Sequence, residues 1–141
     1  MADLNFAGSY DGLHLPYSPE AEQAVLGAII LESNTFDKVV DILKSPDYFY
    51  VSLHKLIFAQ MQEMIGLGLN IDFVTLLERL KQNKAFDEST GKSYLFDLVD
   101  NCPSISNAEE YAKIIAEKYN VRRLITASRE IIDDATAGNE D

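Results

Sequence analysis

The sequence is short of positive charge and of cysteine, and each shortage excludes a class of protein. Lys and Arg together number 12 against 23 Asp and Glu, which gives a formal net charge of −11. A surface that binds the phosphate backbone of DNA or RNA must be positive, so this balance argues against a nucleic-acid-binding module. The single cysteine, Cys102, excludes an internal disulfide bond and fits a reducing compartment.

Long apolar runs and a secretory leader are lacking as well. The apolar run Ala28-Ile29-Ile30-Leu31 is far shorter than the ~20 residues that a membrane-spanning helix needs. The first residues, Met1-Ala2-Asp3-Leu4, lack the basic start and apolar stretch of a secretory signal. What is present is an ordinary globular composition of 141 residues with 47% apolar side chains. We therefore expect one soluble, cytoplasmic domain with a core of its own.

Apolar residues recur at helical spacing from Pro16 onward, and no segment alternates with the period of a strand. The sequence Ser18-Pro19-Glu20 is typical of a helix start, and Asp72 is a second candidate cap. We predict an all-α fold, with a compact orthogonal head of about five helices over residues 16–106. Residues 1–15 show no sustained period and are predicted to form a flexible N-terminal arm.

The last predicted helix is the longest. It begins after Asn107, which is placed to open a capping box, and has no Gly or Pro until Gly138. At ~1.5 Å per residue it spans about 45 Å, longer than a head of this size needs. Its apolar residues come in three pairs: Ile114-Ile115, Leu124-Ile125 and Ile131-Ile132. The far end is therefore expected to show an apolar stripe to solvent or to another chain.

One short motif resembles the end of a phosphate-binding loop. Gly91-Lys92-Ser93 matches the last positions of G-x-x-x-x-G-K-[ST], but Phe86 stands where that loop has its first glycine. The carboxylates of Asp87 and Glu88 precede the motif and would repel phosphate. We interpret residues 87–92 as a polar turn before the fifth helix.

Candidate catalytic and metal-binding residues are few. His14 and His54 have no second ligand at helical spacing, and a metal site needs three or four ligands. We expect His54 to be partly buried or on the surface. Cys102 has no activating neighbour, and the carboxylate pairs Glu20/Glu22 and Glu109/Glu110 are expected on solvated faces near helix starts. The residues alone thus predict no catalytic set, no cofactor site and no metal site.

Five ordered motifs resemble the N-terminal domain of bacterial replicative DNA helicases of the DnaB family. They run from Pro16 to about Gly138, which is most of the chain. In order they are Ser18-Pro19-Glu20-Ala21-Glu22-Gln23-Ala24-Val25-Leu26-Gly27, then Asp47-Tyr48-Phe49-Tyr50 with His54 and Ile57-Phe58, then Ile71-Asp72-Phe73-Val74-Thr75-Leu76, then Gly91-Lys92-Ser93-Tyr94-Leu95, and last Pro103-Ser104 with Asn107 and Tyr111-Ala112-Lys113-Ile114-Ile115. The fourth motif gives Gly91-Lys92-Ser93 a non-catalytic explanation.

The resemblance implies a role in DNA replication. Full-length members of this family are hexameric, ATP-dependent helicases that unwind DNA 5′→3′, with ATP and Mg²⁺ held by a separate C-terminal motor domain. Their N-terminal domains form a collar of dimers that binds the C-terminal domain of primase. By the resemblance, residues 107–141 hold the first arm of a helical hairpin, and the chain ends before the second arm and the motor. This domain itself is expected to have no catalytic site and to contact neither nucleic acid nor membrane.

The resemblance also implies interface residues. The family positions linked to primase docking or subunit contact fall on Glu20, Tyr94, Ile125 and Ile131. Each residue has an alternative role. Glu20 could serve only its own helix start, and Tyr94 could be a core aromatic with its hydroxyl at the surface. The two isoleucines could pack on the second hairpin arm or on a sister subunit.

The expected partners are further copies of the chain, the primase C-terminal domain and a helicase loader, at the replication fork in the cytoplasm. Two other functions stay open from the sequence. One is a stand-alone helical adaptor that shares the fold without a motor. The other is a small nucleotide-binding enzyme that uses Gly91-Lys92-Ser93 or Cys102.

Overall fold

The protein, seen in a computed structural model that describes residues 15–138, consists of helices and their connections in that range, with no strand among those residues. The described part contains six α-helices: α1 (Pro19–Leu31), α2 (Thr35–Val39), α3 (Ser52–Gly66), α4 (Phe73–Lys81), α5 (Glu88–Asp100) and α6 (Ala108–Gly138). Two short 3₁₀ helices, Pro46–Tyr48 and Ile105–Asn107, lie in the connections. The predicted all-α fold is confirmed. The predicted arm of residues 1–15 falls outside the described residues except for Leu15, and the division into head and long-helix region stays a prediction.

Helix α1 lies at the centre of the fold and is buried on nearly every side. The Ser18 hydroxyl accepts a hydrogen bond from the Ala21 N–H and so caps the helix, as the sequence predicts. Helices α3, α5 and α6 all pack against α1. Gly27 permits the approach of α5, because a Cβ there would lie 2.3 Å from the carbonyl oxygen of Leu98.

Helix α4 begins with a reciprocal cap. The Asp72 carboxylate accepts from the Thr75 N–H at 2.8 Å, and the Thr75 hydroxyl accepts from the Asp72 N–H at 3.2 Å. Two hydrogen bonds donated to the carboxylate, first by the Thr75 N–H and second by the Thr75 hydroxyl at 2.9 Å, lower the pKa of Asp72 below its ordinary value. The predicted helix start at Asp72 is confirmed.

Two local predictions were wrong. The helical spacing of the apolar residues Phe36, Val39, Val40 and Leu43 predicts that α2 reaches Leu43, but α2 ends at Val39. The N–H groups of Ile42 and Leu43 both bond to the Val39 carbonyl, so the chain turns and places Leu43 in the core.

The segment 87–92 is not a turn, because α5 already begins at Glu88. Asp87 caps it by accepting from the Ser89 N–H at 3.0 Å and from the Ser89 hydroxyl at 2.7 Å. Asp87, which the sequence placed in the predicted polar turn, is therefore the N-cap of α5.

Helix α6 has 31 residues and is about 45 Å long. Its first half packs on the head through Ala108, Ala112 and Ile115, while its side chains beyond Arg122 are mostly exposed. Arg122 attaches the middle of the helix to the head, since its guanidinium donates to the carbonyls of Pro16 and Tyr48, each at 2.9 Å. The long last helix that the sequence predicts is confirmed, with Asn107 lying in the 3₁₀ helix just before it.

No helix in the described residues is long and apolar enough to cross a membrane.

Candidate functional site

A groove between α1 and α5 brings together two of the predicted interface residues. Glu20 and Gln23 line it from α1, and Tyr94 and Asp97 line it from α5. The remaining lining residues are Ala24, Leu98, Asn101 and Pro103, and the groove encloses about 400 Å³. We call it the α1–α5 groove. Glu20 is exposed and Tyr94 is half-buried, so both side chains are available to a partner.

The charged side chains that line the groove are carboxylates, those of Glu20 and Asp97. The half-buried phenol of Tyr94 lies between them and the protein interior. Burial raises its pKa above the ordinary value, a hydrogen bond from Gln23 offsets part of that, and the Glu22 and Asp97 carboxylates raise it further. The hydroxyl of Tyr94 therefore keeps its proton, and the groove presents oxygen atoms to a partner.

Behind the groove lies a buried polar chain that the sequence analysis missed. His54 and Glu22 are each only 1% exposed, and His54 Nδ1 lies 2.7 Å from Glu22 Oε1. On the other side of the ring, His54 Nε2 lies 2.6 Å from the Tyr94 hydroxyl, with the two rings stacked. This series of hydrogen bonds thus links α1, α3 and α5 and ends at the Tyr94 hydroxyl in the groove.

The structure corrects the expected placement of Glu22 and His54. Glu22 was expected on a solvated face, yet it accepts hydrogen bonds from the Tyr50 N–H at 2.8 Å and the Val51 N–H at 3.3 Å. These two groups precede α3 and would otherwise lack partners, which is why a carboxylate is stable in the core. His54 was expected to be partly buried or on the surface and is instead fully buried.

One sequence feature could have revealed the buried chain. Glu22 shares the first turns of α1 with Glu20 and Gln23, and the helix from Ala24 onward is apolar. A carboxylate in such a helix needs a partner, and a histidine is a common one. Which histidine it meets depends on how α1 and α3 pack, and spacing does not show that.

The other two predicted interface residues lie elsewhere, on the second half of α6. Ile125 is half-buried and Ile131 is 67% exposed, and neither lines the α1–α5 groove. They belong to an apolar stripe on α6, which we call the distal stripe. Its members are Val121, Leu124, Ile125, Ile131 and Ile132. The four predicted residues therefore form two separate surfaces rather than one.

The Gly-Lys-Ser motif has a packing explanation. Gly91 lies buried in the first turns of α5, where a Cβ would come within 2.4 Å of the Phe86 ring. A buried glycine under an aromatic ring leaves its backbone no face for a phosphate group.

Cys102 does not carry the marks of a nucleophile. Its thiol points at the Ala24 carbonyl, with Sγ and the oxygen 3.8 Å apart. Burial raises its pKa, and a backbone hydrogen bond from Ser104 offsets part of the rise. Within residues 15–138, no group of three or more His, Cys, Asp or Glu side chains is placed to hold a metal ion.

Comparison with known proteins identifies the fold and the family. The family model described as the DnaB-like helicase N-terminal domain matches residues 14–117 of this chain. The replicative DNA helicase DnaB of Geobacillus stearothermophilus is 40% identical over 119 residues, which cover 84% of this chain and 26% of that protein. The chain thus spans about a quarter of the length of such relatives.

Solved structures give the same result. The N-terminal domain of DnaB helicase from Mycobacterium tuberculosis superposes with a TM-score of 0.85 at 31% identity, covering 91% of each chain. A DnaB-like replicative helicase, described together with its interactions with primase, superposes with a TM-score of 0.72 at 24% identity. That match covers 85% of this chain and 28% of the other, and it shows a shared fold. The chain belongs to the family of DnaB-like helicase N-terminal domains.

Proposed function

We propose that this domain serves a replicative DNA helicase in two ways. It binds the C-terminal domain of primase through the α1–α5 groove, and it joins other copies of the chain through the distal stripe. The observation that carries the proposal is that Glu20 and Tyr94, from distant parts of the sequence, line one groove. A helicase of the same fold is described with its interactions with primase, which supports primase as the partner.

The groove has the chemistry of a protein-binding surface. Tyr94 offers a large, rigid ring whose position is held by hydrogen bonds to His54 behind it and to Gln23 beside it. Aromatic side chains of this kind supply much of the affinity at protein interfaces, and a groove between two helices suits a helix of the partner. The Glu20 and Asp97 carboxylates flank the ring and favour a partner segment that carries positive charge.

The distal stripe suits association with another helix. Leu124 and Ile131 are seven residues apart, as are Ile125 and Ile132. A seven-residue apolar repeat is the pattern by which helices pack side by side in coiled coils. Leu124, Ile131 and Ile132 are exposed in the single chain, so a second copy of the helix would remove their apolar surface from water.

The activity of the whole protein follows from the relatives rather than from this domain. The relatives are named replicative DNA helicases, and this chain matches only 26% of the length of the Geobacillus protein. We propose that the parent protein is a hexamer that unwinds DNA 5′→3′ and holds ATP and Mg²⁺ in a motor domain. It would act at the replication fork in the cytoplasm, with a helicase loader as a further partner.

A calorimetric titration of the chain with the primase C-terminal domain tests the groove. The variant Tyr94→Ala removes the ring from the groove, and we expect at least a tenfold loss of affinity. Phe96→Ala is the matched control, because Phe96 is on the same helix but packs with Phe73 on the face towards α4. Equal affinities of wild type and Tyr94→Ala would show that the groove is not the docking site.

A further inference from the structure

The Tyr94 hydroxyl meets two nitrogen atoms at the inner edge of the groove. Gln23 Nε2 lies 3.1 Å away and donates to the phenol oxygen, since an amide nitrogen has hydrogen atoms and no lone pair to offer. His54 Nε2 lies 2.6 Å away, and a ring nitrogen either donates or accepts according to where the imidazole carries its hydrogen. The role of the Tyr94 hydroxyl therefore depends on His54.

The surroundings of Glu22 decide where the imidazole carries its hydrogen. The Glu22 carboxylate already accepts from the backbone N–H groups of Tyr50 and Val51, and it lies 2.7 Å from His54 Nδ1. A carboxylate in this setting accepts only, so the Nδ1 atom must carry a hydrogen and donate it. In the neutral imidazole this leaves Nε2 as a bare acceptor facing Tyr94.

The direction of each hydrogen bond from Glu22 through His54 to Tyr94 follows. Tyr94 donates its hydroxyl hydrogen inward to His54 Nε2, and its raised pKa means that the hydrogen is present to be donated. The phenol oxygen then accepts from Gln23 and has one lone pair left for the groove.

We propose that His54 is a positioning residue of the α1–α5 groove, which holds the hydroxyl hydrogen of Tyr94 inward so that the phenol oxygen can only accept a hydrogen bond from a partner. This inference rests on the proposed function of the groove in binding primase. It also defines the partner's chemistry: the group that meets Tyr94 donates an N–H or O–H. The Glu20 and Asp97 carboxylates in the same groove are acceptors too, so a lysine or arginine side chain has the donor chemistry and the charge that the groove favours.

The position of the hydrogen can be measured without primase. The chain has only two histidines, so nitrogen-15 spectra of histidine-labelled protein, with His14→Gln to assign the signals, resolve both rings. We expect His54 to show a protonated Nδ1 and a bare Nε2 in neutral buffer. A protonated Nε2, alone or together with Nδ1, would overturn the inference while leaving the docking function in place.

Two substitutions at His54 separate positioning from structural support. His54→Asn keeps a donor for Glu22 where Nδ1 stood but does not reach Tyr94. His54→Gln places an amide oxygen where Nε2 stood, so it can accept from Tyr94 but loses the bond to Glu22. We expect His54→Asn to weaken primase binding about fivefold and His54→Gln to change it less than about twofold, since one hydrogen bond is at stake.

A double variant and a stability measurement complete the test. In a Tyr94→Phe background, which has no hydroxyl to orient, His54→Asn is expected to have no further effect on affinity. Urea unfolding of each variant reports structural damage separately. If affinities follow the unfolding free energies instead of this pattern, His54 is only structural and the inference is wrong. If Tyr94→Ala leaves primase affinity unchanged, the proposed function itself fails, a result distinct from any at His54.

Discussion

At the scale of single residues, the contact between α1 and α5 shapes the groove, and it depends on a glycine. Gly27 lies against the backbone of Leu98, and a Cβ at this position would also approach the Cys102 Cβ to 3.3 Å. Glu20 and Tyr94 sit on the same two helices. The depth of the groove therefore depends on the absence of a side chain at residue 27.

We expect Gly27→Ala to lower the free energy of unfolding by about 2 kcal/mol, because a backbone carbonyl cannot yield to the added methyl group as a side chain could. Thermal or urea unfolding measures the change. Gly66→Ala is the matched control, since a Cβ at the end of α3 would meet nothing within 4 Å. That control should be neutral or slightly more stable. Equal stability of Gly27→Ala and wild type would contradict the close packing of α1 on α5.

At the scale of helices, sequence and structure agree best where the contacts are local. The starts of α1 and α4 were predictable because Ser18 and Asp72 bond to N–H groups only three residues ahead. The length of α6 was predictable because no Gly or Pro interrupts it. The early end of α2 was not, since it results from the burial of Leu43 in a core built by other helices.

The candidate site shows the same difference between what the sequence predicts and what depends on tertiary packing. Motif resemblance pointed to Glu20 and Tyr94, and the structure places them in one groove. The support behind Tyr94 was missed because Glu22, His54 and Tyr94 come from three helices. Contacts of that kind depend on tertiary packing, and no spacing rule along the chain contains them.

The cap of α4 predicts a pH-dependent stability. Asp72→Ala should lower the free energy of unfolding by about 1 kcal/mol at neutral pH, as the loss of a capping carboxylate does. The pKa of Asp72 is lowered in the folded chain, so its contribution is fully present above its ordinary pKa of 3.8. It is lost as the pH falls through the lowered value.

Urea unfolding of wild type and Asp72→Ala, followed from pH 7 down to about pH 2, tests this linkage. The difference between them should shrink on the acid side. Asp41→Ala removes an exposed carboxylate that caps no helix and serves as control. A difference that stays constant with pH would show that the Asp72 carboxylate is not what stabilises the start of α4.

We expect changes in the distal stripe on α6 to affect self-association without affecting the fold of the head. The double variant Ile125→Asp, Ile131→Asp puts two charges on the apolar surface, so we expect self-association to weaken by at least tenfold. The head should stay folded, because α6 is attached to it through residues up to Arg122.

Analytical ultracentrifugation measures the association, and circular dichroism reports the fold. Thr126→Asp, Ala137→Asp adds the same charge at exposed positions on the opposite face of the same helix and is the matched control. If the two double variants self-associate with the same affinity, the stripe is not the interface. Either the added charge by itself or another surface then governs assembly.

At the scale of the whole molecule, the two surfaces have different chemistry and occupy different helices. The groove is acidic and belongs to the head, whereas the distal stripe is apolar and belongs to the second half of α6. A domain with a net charge of −11 is well suited to a positively charged protein partner and poorly suited to DNA. Because the two surfaces lie on different helices, the proposed binding of other copies and the proposed binding of primase do not compete.

The proposed function requires this domain to bind both other copies of itself and primase. Light scattering after size exclusion, on the chain alone and after mixing with the primase C-terminal domain, measures both properties in one experiment. We expect the chain alone to elute as a dimer or larger species and to shift to a heavier complex with primase. A monomer whose mass is unchanged by primase would contradict the account.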